Sequence, residues 1–194
     1  MNDMISRRSF LGRTAAAGAL AGGFSIINAR GQGGHKEFKV ALIGCGGRGR
    51  KATQNCVDAG KLMGIGIKLV AVADWFEGPA KAFGTSKGLP EKDCFWGADA
   101  YRKVMATDAD IVLMATPTVF RPMHLEAAVE AGKHAFIEKP VAVDPAGARR
   151  VIAAGEKAKV KGLSIVAGTQ RRHQDRYREA AHLIREGSIG DILN

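Results

Sequence analysis

The stretch FKVALIGCGGRG, residues 38 to 49, limits what this chain can fold into more than any other. An apolar, β-branched run breaks into four glycines within six residues, and a basic, helix-compatible segment follows. A buried strand ending in a tight turn that leads straight into a helix accounts for each glycine. Gly44 permits the turn, Gly46 lets a ligand approach the main chain, and Gly49 lets helix and strand pack closely. Gly47 belongs to the same turn, and the helix that opens at Arg48 offers in its first turn unpaired N–H groups and a partial positive charge, a setting suited to a diphosphate. The next apolar run, IKLVAVAD, closes on Asp74, 25 residues after Gly49. A carboxylate there can accept hydrogen bonds from ribose hydroxyls and would repel a 2′-phosphate. The pattern therefore predicts a bound dinucleotide, NAD in preference to NADP, with NADP possible because Arg48 could serve either.

The rest of the chain alternates between two periodicities. Short apolar runs, expected as strands, occupy 38–44, 67–74, 109–117, 134–140 and 163–169. Helical patterns fall at 48–60, closed by Gly60, and at 122–131, where Leu125, Ala128 and Val129 share a face before Gly132. Asp144-Pro145 predicts an N-cap with proline at the first helical position, and Ala148, Val151 and Ile152 supply that helix's inner stripe. A last helix is expected over 175–186, with Tyr177, Ala180, Ala181 and Ile184 on one face. Strands alternating with helices at these spacings predict an α/β fold, a doubly wound parallel sheet of the Rossmann type. Right-handed crossovers gather the carboxyl ends of the strands at one edge, where such sheets bind ligands.

Three segments in order, GCGGRG, ATPTVFRPMHLEAAVEAGKHAFIEKP (115–140) and GTQRRHQDRYREAAHLIREGSIGDI (168–192), resemble the Gfo/Idh/MocA family, named for glucose–fructose oxidoreductase and inositol dehydrogenase. The middle segment is the specific one, because Thr116-Pro117, His124, Gly132-Lys133-His134 and Glu138-Lys139-Pro140 fall in the family's order. The resemblance implies that Lys139 stands beside the nicotinamide and the reacting carbon as the catalytic residue. Thr116 and Pro117 would contact the cofactor. Glu138 would anchor its loop or a cofactor hydroxyl, and Gln170 and Arg171 would reach the cofactor or an anionic substrate. His124 serves either catalysis or a structural hydrogen bond. The implied activity is hydride transfer to or from a sugar, polyol or related hydroxyl compound, in a protein that forms homo-oligomers at full length. Two other activities are compatible with the resemblance: NAD-dependent glycoside cleavage and dinucleotide sensing without turnover. Members of the family carry a second α/β domain that supplies acid–base partners for the lysine, and at 194 residues this chain stops where that domain would begin. The expected organisation is thus a dinucleotide-binding domain over 36–169 and, over 170–194, a connecting helix with the start of the second domain.

Residues 1–29 read differently. Ser6-Arg7-Arg8-Ser9-Phe10-Leu11 precedes an uncharged, Ala- and Gly-rich stretch from Thr14 to Ile27, too short and too weakly apolar for a membrane span. The paired arginines resemble a twin-arginine (Tat) export signal, with cleavage near Ala29. This predicts the Tat machinery as a partner and a periplasmic or otherwise exported protein that carries its cofactor across already bound. Removing the segment's three arginines and one aspartate takes the net charge only from +10 to +8. The remaining basic residues are interspersed with glycines and acids, few aromatics accompany them, and neither a basic helix nor a zinc pattern is present, so nucleic acid is not the expected partner. Cys45, Cys56 and Cys94 show no C-x-x-C spacing and read as small core or loop thiols, with no metal expected.

Overall fold

The computed structural model describes residues 37–192; the twin-arginine segment lies outside them. Six strands form one parallel sheet in the order β3-β2-β1-β4-β5-β6. They are β1 (Glu37–Ile43), β2 (Gly66–Asp74), β3 (Cys94–Trp96), β4 (Ile111–Met114), β5 (His134–Ile137) and β6 (Ile165–Ala167). The helices are α1 (Gly47–Met63), α2 (Glu77–Ser86), α3 (Ala100–Met105), α4 (Arg121–Glu130), α5 (Pro145–Val160) and α6 (Asp175–Arg185). Among the described residues no helix is long and apolar enough to cross a membrane.

The sheet is buried on both faces because its central strands are apolar at every position. In β1, Val40 and Leu42 point to one face and Ala41 and Ile43 to the other, all almost fully buried. The first face joins Val72, Phe83, Cys94 and Leu113 in one cluster, under α1 and α2. The second joins Val104, Met114, Leu125, Val129, Ala154 and Ala158, under α3, α4 and α5. Cys45 and Cys94 fill the first cluster as small free thiols, and burial pushes the Cys45 thiol up to about 12.

Several elements depart from the sequence reading. Helix α1 does not stop at Gly60 but runs to Met63, where Gly64 takes the left-handed conformation (φ +69°) and caps it. Gly60 instead lies buried inside the helix, because a Cβ there would collide with the Ile67 side chain and sit 2.8 Å from the Ile65 carbonyl oxygen. The expected strands over 109–117, 134–140 and 163–169 shorten to Ile111–Met114, His134–Ile137 and Ile165–Ala167, and the positions beyond each strand's last pair form loops at the carboxyl edge. Segment 75–108 contributes α2, β3 and α3, which periodicity did not reveal; β3 has three residues and α3 six, too few to show a period. In α5 the Asp144 cap forms as expected, accepting from the Gly147 amide. Ile152, however, is 66% exposed, and Ala154 and Ala158 carry the inner stripe with half-buried Ala148 and Val151. Helix α6 presents Tyr177, Ala180, Ala181 and Ile184 without burying any of them among the described residues.

Two glycines inside helices should respond oppositely to an added methyl. Gly60→Ala is expected to destabilise by about 2 kcal/mol through overpacking against β2. Gly155→Ala, with nothing within 4 Å of its Cβ position, should gain up to about 1 kcal/mol of helix propensity. Urea unfolding of the two variants checks both signs.

Candidate functional site

Strand β1 pairs with β2 on one side and β4 on the other, so the chain turns opposite ways from its carboxyl end, which opens a crevice. The edge continues one residue past each strand. The Gly44 amide donates to Ala73 (2.8 Å), Ala115 to Ile43 (2.8 Å), Glu138 to Met114 (2.9 Å) and Gly168 to Ile137 (2.8 Å). The strand ends that carry Gly44, Asp74, Thr116 and Glu138 thus lie along one edge of the sheet.

At the crevice, Gly44 has φ +100°, and a Cβ there would sit 2.7 Å from the Ala115 carbonyl carbon. A Cβ on Gly49 would run into the Gly44 carbonyl, so α1 and β1 touch main chain to main chain. Gly46 and Gly47 face open space, with nothing within 4 Å of their Cβ positions. Helix α1 starts there with no side chain capping it and no acid in its first turn. This chemistry fits a dinucleotide diphosphate: amide donors, a positive helix end and no side chain in the way.

The cleft holds about 740 Å³ and is lined by Gly44, Gly46, Asp74, Thr116 and Pro117, all expected from the sequence, together with His124. One Asp74 oxygen accepts from the Cys45 amide (2.7 Å) and the other from the Phe76 amide (3.1 Å). Asp74 thus braces the glycine turn while its remaining lone pairs stay available to a ribose. An aromatic column flanks the cleft. Trp75 stacks on Phe120 (5.7 Å between centroids), Phe120 on His124 (6.0 Å), and His124 on Tyr101 (4.6 Å). The sequence reading did not single out Trp75, Phe120 or Tyr101; the exposed pair Trp75-Phe76 directly after Asp74 was the available signal.

Other expected residues lie beside the cleft. Arg48 turns from it to pair with Glu138, which is 3% exposed. The Glu138 carboxylate fits because Gly168 has no side chain; a Cβ there would stand 3.0 Å from it. Glu138 is thereby tied through Arg48 to the glycine turn. Gln170 lines a neighbouring hollow of about 360 Å³ together with Arg48. Arg171 is exposed, its guanidinium 5.4 Å from the Tyr177 ring centroid. Lys139 is exposed at the end of β5, two strands from β1, and its ammonium has no partner among the described residues. Lys133, from the same matching segment, is buried and donates to the Thr107 and Ala109 carbonyls (2.8 Å each), which makes it a structural staple.

His124 is 6% exposed, and its Nδ1 lies 3.3 Å from the Thr116 hydroxyl. Burial lowers its pKa from 6.5 to about 4, so the ring is neutral near pH 7. In the unfolded chain the same ring titrates near 6.5, so between 6.5 and 4 the unfolded state binds the extra proton. Its contribution to stability is complete above that window and disappears as the pH falls through it, about 3 kcal/mol in all. Denaturant unfolding from pH 7 to 4 should show this loss in the wild type, and His124→Phe should remove that part of the slope.

Residues 38–166 match the profile of an oxidoreductase family described as having an NAD-binding Rossmann fold, Gfo/Idh/MocA. Among curated relatives, the scyllo-inositol 2-dehydrogenase (NAD(+)) of Bacillus subtilis is 30% identical over 79% of this chain and 42% of its own length. A glycosyl hydrolase family 109 protein of Streptomyces coelicolor is 29% identical over 98% of this chain and 44% of its own. A 3-ketoreductase from Actinomadura kijaniata, solved with TDP-benzene and NADP, superposes with a TM-score of 0.64 at 26% identity, covering 80% of this chain and 44% of that one. The chain thus spans less than half the length of these relatives. By the profile match and by the switch-point cleft alike, the chain belongs to the Gfo/Idh/MocA oxidoreductase family with its NAD-binding Rossmann fold.

Proposed function

We propose that the full-length protein moves hydride between NAD and a sugar, polyol or related hydroxyl compound. The observation that carries this reading is the pairing of an open glycine turn at the switch point with an ammonium, Lys139, that has no partner among the described residues and stands on the same sheet edge. Gly44, Gly46, Gly47 and Gly49 with the start of α1 would hold the diphosphate. Asp74 would accept from the adenosine ribose, which favours NAD; the NADP complex of the Actinomadura kijaniata relative keeps NADP within the family's reach. Thr116 and Pro117 would flank the cofactor, and the Arg48–Glu138 pair would brace the loops on either side. Gln170 and Arg171 would meet the substrate or cofactor beyond the cleft. When bound, the nicotinamide supplies the hydride acceptor or donor. Lys139 gives or takes the proton of the reacting oxygen. The names of the Bacillus subtilis relative and of a D-apiose dehydrogenase from Paraburkholderia graminis support a polyhydroxylated substrate.

A second reading, NAD-dependent glycoside cleavage, is favoured by one observation. The Streptomyces coelicolor glycosyl hydrolase family 109 protein matches 98% of this chain, against 79% for the Bacillus subtilis dehydrogenase. We read residues 170–194 as the connection into a second domain, with homo-oligomers forming at full length. For the N-terminal segment the proposal is twin-arginine export to the periplasm with the cofactor already bound, supported by Arg7-Arg8 and the uncharged stretch behind them.

Lys139→Ala is expected to abolish turnover of polyols such as inositols while cofactor affinity, followed by NADH fluorescence, stays within about tenfold. Unchanged turnover in that variant refutes the role of Lys139. Aglycone release from a glycoside without net NADH would favour the second reading, and NADH binding with neither reaction a sensor. For export, residues 1–34 fused to a folded reporter should deliver it to the periplasm, and replacing both Arg7 and Arg8 by Lys should stop delivery; a reporter retained in the cytoplasm by the native segment overturns the proposal.

A further inference from the structure

Arg121 has no place in the cofactor site, yet it is among the most constrained polar residues of the sheet edge. It is 7% exposed and stands at the first position of α4, where a cation faces the positive end of the helix dipole. Burial lowers its pKa, a tendency opposed by the charge of Glu138. A buried cation at a helix start carries two electrostatic penalties, and packing alone would be served by an apolar side chain of similar size. A set of three main-chain acceptors offsets them. Nε donates to the Thr116 carbonyl (2.9 Å), and one terminal nitrogen donates both to the Glu138 carbonyl (2.7 Å) and to the Pro140 carbonyl.

Those acceptors are arranged around a single residue. Glu138 and Pro140 flank Lys139, and both of their carbonyls converge on one guanidinium nitrogen, which holds the chain in a bend with Lys139 at its apex. The third bond ties that bend to the residue that lines the cleft from β4. From the other side, the Glu138 carboxylate is held by Arg48, which belongs to the glycine turn. Lys139 is thus fixed through its main chain from two directions while its side chain has no partner among the described residues.

We propose that Arg121 is a positioning residue that sets where the Lys139 ammonium stands relative to the cofactor cleft. This rests on the reading of Lys139 as the group beside the nicotinamide. The planar fork of a guanidinium can span Thr116 and the 138–140 bend at once, whereas a lysine, a point donor on a flexible stem, cannot hold both.

The test uses the full-length protein and reads Lys139 itself. Reductive methylation followed by mass spectrometry gives the labelling rate of Lys139 with and without saturating NAD. In the wild type, NAD should slow labelling by about tenfold, because a positioned ammonium is covered by the nicotinamide; in Arg121→Lys, binding NAD within about threefold of wild type and unfolding cooperatively, protection should fall below about twofold. Equal protection in the two proteins overturns the role of Arg121. Absence of protection in the wild type instead overturns the placement of Lys139 beside the nicotinamide, so the two failures are distinct. Should Arg121→Lys fail to fold, Arg121→Gln, which removes the buried charge, is read in the same way. Loss of folding or of NAD binding in both variants would assign Arg121 to the fold or the cleft as a whole and sink the proposal.

Discussion

Everything at the carboxyl edge depends on one contact in which main chain meets main chain. Gly49 of α1 rests on the Gly44 carbonyl, and Gly44 in turn rests on Ala115 at the end of β4. Neither glycine leaves room for a methyl group, and Gly44 also adopts a left-handed φ that L side chains avoid. This contact lets a helix start directly above the point where the strand order reverses. The open positions Gly46 and Gly47 result from it, because a turn that tight lifts the next two residues clear of the sheet. Such a turn aims main-chain amides into space from which side chains are missing, a setting suited to a diphosphate.

Around that turn the protein uses charged side chains to hold loops. Asp74 grips the Cys45 amide and so braces the turn from β2. Arg48 grips Glu138 across from β5, in a space that exists because residue 168 is a glycine. Arg121 collects carbonyls from the β4 and β5 loops. Each such group would be costly if left unpaired, and each is paired; among the described residues no buried side-chain nitrogen or oxygen lacks a partner. The consequence is an edge whose loops are short and cross-tied, with the Lys139 ammonium unpartnered among the described residues.

The fold class was legible because it rests on local patterns. Apolar runs too continuous for a half-exposed strand, helical stripes between them and glycines at the joints point to a parallel sheet covered on both faces. Boundaries were less legible. Gly60 looks like a helix stop and is a packing residue, because the same missing side chain serves either purpose and only the position of Ile65 and Ile67 tells which. Ile152 looks like core and faces outward, since in α5 the close approach to the sheet is made by alanines. The segment with β3 and α3 was invisible because neither element is long enough to display a period.

What the sequence determined by itself is the set of residue types at each strand end: glycines after β1, an acid closing β2, a lysine after the fifth strand. These are consequences of residue type and of distance along the chain, which periodicity converts into position. Only the tertiary structure decided which of these groups face the cleft and which face one another. Arg48 and Glu138 are 90 residues apart in sequence and neutralise each other, while Arg121 reaches backbone carbonyls that carry no sequence signature at all. A side chain's partner across a sheet is set by strand order and by the rotamers that packing allows, and neither is written in any local stretch of the chain.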